Sequence, residues 1–325
     1  MKNKLIVIII VSILFSINIA AAEKSRSSFI SLEVFGGVGI IDPEDFNLIG
    51  QADADLEWYF FEKRYKNYES YGGNISINSG EYPQFNKQLP VGIRLVFHLS
   101  DLINIWGGVR HAGVYANDNI SYRYTGSDLN TIGSDSRDYS PYIVSASTWT
   151  FQAGIKLVFI NKNKFKAGLV GGIGIVTASC HYETLWEDFH SFIWTKDDDP
   201  EVKMEFKRNG SYEMEGNGSA LCYETGLFIN WQLGKKLGVF IESVYNAQKI
   251  SNISGRGSEI IDGVETTWEG KWRKITEKLY SYNLGTLFLR YIDNREIPAE
   301  LIQIRNDFVL DLSGFEFRIG VKLSF

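Results

Sequence analysis

Hydrophobic and polar positions alternate with a period of two along eight separate stretches of the chain. The clearest is the last, where Phe315, Phe317, Ile319, Val321, Leu323 and Phe325 are apolar and Glu316, Arg318, Lys322 and Ser324 fall between them. Period two puts successive side chains on opposite faces of an extended strand. Similar runs occupy 30–40, 91–98, 103–110, 151–159, 165–175, 221–233 and 237–248. In the 221–233 run, Leu221, Tyr223, Leu227, Ile229, Trp231 and Leu233 share one face, and Glu224, Gly226, Asn230 and Gln232 share the other.

The connections fall into two alternating classes. Short turns lie near 99–102, 160–164 and 233–236, and long polar segments lie near 42–89, 116–146, 180–216 and 251–308. An even number of antiparallel strands then has every short turn at one end and every long loop at the other. The expected fold is all-β: an eight-stranded antiparallel transmembrane β-barrel with four long extracellular loops. Ten strands is the alternative, with residues 299–308 (AELIQIRNDF) as a weak extra strand.

Which face is inside follows from composition. The polar faces mix single charges with glycines and small residues, whereas the apolar faces are long and rich in aromatics, so the apolar faces are assigned to lipid. An eight-stranded barrel leaves a lumen just wide enough for side chains. Into it fall Glu33, Arg94, Arg110, Lys156, Lys166, Glu224, Glu242, Glu316, Arg318 and Lys322. They should pair with one another, because an isolated buried charge is very costly.

At the N-terminus, basic MKNK, the apolar run LIVIIIVSILF and Ala20 and Ala22 in A-x-A positions predict a signal peptide over 1–22 and a barrel domain over 23–325. A retained membrane anchor is the rival reading. No later run of about 18 apolar residues predicts a transmembrane helix. Aromatics make up 14% of the chain, which suits membrane interfaces as well as cores. A formal net charge of -6 argues against a nucleic-acid binder. Cys180 and Cys222 lack metal-site spacing and leave two options open, one disulfide or two free thiols.

The closing octet, Arg318 to Phe325, resembles the C-terminal assembly signal of bacterial outer-membrane barrels: polar, any, glycine, any, any, hydrophobic, any, terminal aromatic. Arg318, Gly320, Leu323 and Phe325 match it. More broadly, the eight strand segments resemble the small outer-membrane β-barrel superfamily with opacity-type and outer-membrane-protein-W-like members; the resemblance fades in the loops. It implies a place in the outer membrane of a Gram-negative-type bacterium, with outer-membrane lipids and the barrel assembly machinery as partners.

Other candidates read as structure. The glycine-rich run 167–176 lacks both the order and the following helix of a phosphate loop and suits bending and crowding relief in a strand. His190 and Ser191 near Glu187 and Asp188 form the one hydrolase-like cluster, placed in a loop without a nucleophile elbow. His98 and His111 fall on separate strand faces. The acidic run Lys196 to Glu201 lacks EF-hand spacing and reads as a solvated loop. Leu56, Tyr59, Phe60 and Lys63, behind Asp53 or Asp55, predict a short helix over the barrel mouth. Tyr280, Leu284, Leu287, Phe288 and Tyr291 also have helical period, with a strand extension as the other reading.

No catalytic residue, cofactor or metal is expected. The expected role is surface interaction or envelope support by a barrel with a plugged lumen, its loops meeting an unidentified extracellular ligand. One alternative is a narrow, porin-like conduit for small or hydrophobic molecules. Another is a lipid-modifying outer-membrane enzyme.

Overall fold

The computed structural model describes residues 29–43, 74–79, 86–128, 131–162, 164–194, 202–277, 287–291 and 302–325. The segment 1–22 expected as a signal peptide, the helix expected through Leu56, Tyr59, Phe60 and Lys63, and the acidic run 196–201 lie outside them. The strands in chain order are β1 (Ile30–Ile41), β2 (Asn74–Ser79), β3 (Lys87–Gln88), β4 (Val91–His98), β5 (Ile103–Asp128), β6 (Thr131–Lys162), β7 (Phe165–Trp194) and β8 (Val202–Gln232). There follow β9 (Leu237–Ile250), β10 (Ser254–Ile261), β11 (Val264–Glu277), β12 (Leu287–Tyr291), β13 (Ile302–Asp307), β14 (Leu310–Asp311) and β15 (Gly314–Ser324).

Eight of these strands close into a ring. Antiparallel pairing runs β1, β4, β5, β6, β7, β8, β9, β15 and back to β1, from Leu32 opposite Leu95 to Leu32 opposite Leu323. Closure leaves no strand edge in the ring. β13 pairs β11 rather than a ring strand, so residues 302–307 do not make a further barrel strand, and the ring has eight rather than ten.

The alternation that forms each strand also sorts its faces. On β8, Leu221, Tyr223, Leu227, Ile229 and Trp231 stand outward and exposed, while Glu224 and Asn230 are buried inside. The outward apolar residues make a belt edged by aromatics: Trp149, Phe151, Tyr223, Tyr245 and Phe315 toward one rim, and Phe29, Phe159, Trp231 and Phe325 toward the short-turn rim. Such a belt between aromatic girdles is the outer surface of a bilayer-spanning barrel.

The segments expected as loops at 116–146 and 180–216 are mostly strand. β5 to β8 are 26, 32, 30 and 31 residues long, whereas a bilayer crossing takes about 9–11. The β5–β6 ladder continues to Asp128 opposite Thr131, and the β7–β8 ladder to Trp194 opposite Val202. These stretches read as loop because polar composition is compatible with a solvated sheet as much as with irregular chain. His190 and Ser191 accordingly sit on β7, opposite Phe206 and Glu205, rather than in a loop. The last long segment supplies a hairpin, β10 and β11, turning at Asp262 and Gly263, both at positive φ as an Asp-Gly type I′ turn requires. Residues 287–291 extend this sheet as β12, the strand reading rather than the helical one, while Tyr280 and Leu284 lie outside the described residues.

Candidate functional site: the lumenal charge network

Inward parity brings the predicted charges together. The Arg94 guanidinium donates to both oxygens of Glu242, Nη1 to Oε1 at 2.9 Å and Nη2 to Oε2 at 3.0 Å. It also lies 3.6 Å from Glu33 and 3.8 Å from Glu224. Lys156 Nζ bridges Glu33 at 2.7 Å and Glu242 at 2.9 Å. Arg318 Nη2 reaches Glu224 at 2.8 Å and Glu316 at 2.7 Å. Arg110 pairs with Glu316, which also accepts from Gln88 Nε2 at 3.1 Å.

These eight side chains come from seven of the eight ring strands, and each is at most 3% exposed. Four bases face four acids, so the cluster is formally neutral. A two-oxygen Arg–carboxylate fork is among the stronger charge-assisted arrangements, and mutual pairing is what makes so many charges tolerable away from water. Lys322 and Lys166 stand apart from the eight. Lys322 is buried nearer the short-turn rim, opposite Glu33 in register, and Lys166 is half-buried at the start of β7.

Beneath the cations lies an aromatic layer that the charge pattern alone did not reveal. Arg94 sits 4.5 Å from the Trp106 ring centroid and 5.0 Å from that of Phe35, and Lys156 sits 5.2 Å from those of Phe228 and Phe240. Cations over ring faces gain further electrostatic stabilisation. Each ring has a glycine opposite it: Phe35 faces Gly92 and Gly320, Trp106 faces Gly154, Phe228 faces Gly168 and Phe240 faces Gly320. A Cβ at Gly92, Gly172 or Gly320 would overlap the ring of Phe35, Trp106 or Phe240. The available signal was parity, since these aromatics share the inward phase of Glu33, Asn104, Asn230 and Glu242.

Toward the other rim the interior turns apolar. Val144, Val176, Tyr182 and Met214 from the long strands pack with Ile250, Ile253, Trp272, Phe308 and Leu310. The Trp272 and Phe308 ring centroids are 5.5 Å apart. Ile253, Trp272, Phe308 and Leu310 thus bring apolar side chains against the inward faces of the long strands.

The remaining candidates are dispersed. His98 is near the short-turn rim, its Nε2 3.0 Å from Ser31 Oγ and its Nδ1 2.6 Å from Asn104 Oδ1. His111 faces outward against Trp149, with ring centroids 4.7 Å apart. Cys180 and Cys222 are both buried and free, which resolves the two options in favour of separate thiols. Gly320, Leu323 and Phe325 of the C-terminal octet lie on or just past β15, with Leu323 and Phe325 outward, while Arg318 belongs to the lumen network.

No family model matches the sequence, and no curated protein does. Solved structures that match the chain include the following three. Outer membrane protein OprG from Pseudomonas aeruginosa is 11% identical, with 92% of this chain and 97% of that chain covered and a TM-score of 0.28. Outer membrane protease OmpT from Escherichia coli is 10% identical over 93% and 99%, with a TM-score of 0.33. CarO from Acinetobacter baumannii is 10% identical over 72% and 92%, with a TM-score of 0.29. The architecture rests on the ring of pairings within this chain rather than on these likenesses: it is an eight-stranded antiparallel β-barrel with an apolar outer belt and buried charges on its inner face.

Proposed function

We propose that the chain is an integral outer-membrane barrel with a closed lumen, acting at the cell surface or in envelope support through its projecting sheet. The carrying observation is the neutral eight-residue network filling the lumen above an aromatic layer. A barrel filled in this way has no wide aqueous path, so general solute passage ranks below a role carried by the outside of the projecting sheet. The short turns are assigned to the periplasm and the projecting strands to the exterior, the arrangement expected of outer-membrane barrels. Outer-membrane lipids are the partners of the apolar belt. The octet ending at Phe325 is the proposed contact for the barrel assembly machinery.

Planar-bilayer recording tests the closed lumen. Wild-type protein should show little steady conductance, and Glu242→Ala should open more often because it removes the carboxylate shared by Arg94 and Lys156. A large, stable wild-type conductance would overturn the proposal in favour of a conduit. An epitope tag near Lys235 should be inaccessible on intact cells and one near Asp198 accessible; the reverse pattern would invert the orientation.

A further inference from the structure

Outside the lumen, one group of ionisable side chains is assembled by strand register alone. On the projecting part of β7 and β8, His181 lies opposite Glu215 and Glu183 opposite Glu213. Tyr182 and Met214 between them are buried, so the four ionisable side chains share the outward face. One donor atom from each of His181, Glu213 and Glu215 lies within 4.8 Å of the other two. The two imidazole nitrogens face different carboxylates: Nδ1 is 3.9 Å from Glu213 Oε1, and Nε2 is 3.6 Å from Glu183 Oε2.

The charge arrangement is unfavourable as it stands. Carboxylates directly opposite one another destabilise a strand pair, and Glu183 and Glu213 are such a pair. The Arg256 guanidinium on β10 contacts Glu215 at 3.1 Å and is itself opposite Glu269 of β11. Glu183, Glu213 and Glu215 thus stand close together around one imidazole on this face. A doubly charged ion bound among them would relieve the repulsion.

We propose that His181, Glu213 and Glu215 bind one divalent transition-metal ion of the zinc class on the outside of the projecting sheet. Imidazole nitrogen combined with carboxylate oxygen suits zinc, copper(II) or nickel(II), whereas calcium and magnesium take oxygen ligands. The metal lies on the Nδ1 side with Glu213 and Glu215. Glu183 is a positioning residue: its carboxylate, 3.6 Å from Nε2, is placed to accept a hydrogen bond from Nε2–H once metal draws the ring and carboxylates together, the carboxylate–histidine–metal arrangement common to such sites. Bonds of about 2.0–2.2 Å require the ligand atoms to draw together, and side chains about a third to a half exposed can turn freely enough to do so.

The test uses untagged full-length protein folded in detergent, stripped with chelator and titrated with Zn²⁺ by calorimetry. Cu²⁺ is added separately to read nitrogen coupling by electron paramagnetic resonance. The expected result is one equivalent of Zn²⁺ and one coupled nitrogen, both lost in His181→Ala. Glu183→Gln should keep the stoichiometry and weaken affinity by about 10–100-fold. His111→Ala, a histidine on the outer face at the aromatic girdle, should change neither reading. Since these side chains are partly exposed, circular dichroism and heat-modifiable gel mobility verify that each variant folds. Zn²⁺ binding unchanged in folded His181→Ala, or none tighter than millimolar in the wild type, would overturn the site.

Discussion

Along a single strand, β7, the two faces exchange character. Within the belt, Ile173 and Ile175 point outward and Gly172 and Gly174 point toward the lumen; a few residues on, His181 and Glu183 point outward and Cys180 and Tyr182 point inward. β8 does the same, from Leu221 and Tyr223 outward with Glu224 inside to Glu213 outward with Met214 inside. Backbone pairing is continuous across the change. The belt is an inside-out protein and the projecting sheet an ordinary one, built from the same strands in the same register. The change of sign marks where lipid gives way to water, between Ile175 and His181 on β7 and between Leu221 and Glu213 on β8.

The strongest way to break this contrast is to unbalance the lumen. Glu242→Ala strands Arg94 and Lys156 and should destabilise the barrel by about 3–5 kcal/mol, read as a lower urea midpoint of the folded, heat-modifiable band in detergent. The same loss of charge at Glu213, in the water-facing sheet, should leave that midpoint nearly unchanged.

Next in size is a charge placed on the lipid face. Leu227→Lys lies in the belt and should cost about 2–4 kcal/mol if near the midplane, measured by reversible unfolding in lipid vesicles. Ser211→Lys, on the same face past Glu213, should cost almost nothing; equal losses would contradict the assigned boundary.

Much of this contrast is legible in the sequence. The eight strands follow from alternation, and the lumen charges from parity. The projecting sheet was missed because Val114, Val144, Ala146, Val176, Ala178 and Cys180 keep period two but sit among serines, threonines and glycines. Weak apolar alternation in a polar setting resembles loop composition. The aromatic layer was missed because an inward phenylalanine is intelligible only beside its glycine partner on the next strand. The cluster at His181 was missed because it depends on the register between residues more than thirty positions apart in the chain.

A smaller effect sharpens the packing of the lumen. Gly172→Ala pushes a methyl group against Trp106 and should cost about 1–3 kcal/mol as overpacking, visible as a shifted tryptophan emission and a lower unfolding midpoint. The smallest belongs to the solvated face. Arg256→Ala removes a 3.1 Å contact to Glu215 and should change stability by less than about 1 kcal/mol, within the scatter of repeated unfolding curves.

The closing seam has a kinetic consequence. β1 and β15 are the first and last strands of the ring, and Ser31 meets Ser324 across nearly the whole length of the chain. Contacts between such distant residues form late, because the chain entropy of closing so large a loop is lost before any contact can offset it. Glu33 lies on one side of the seam, and Arg318 and Glu316 lie on the other. The network is therefore incomplete until the seam shuts, and a half-shut ring holds unmatched charge facing a narrow interior. Closure and ion pairing are expected to occur as one event, so refolding into micelles should show tryptophan burial and the compact gel band appearing at a single shared rate. Two separable rates would mean that the ring can close around unpaired charge.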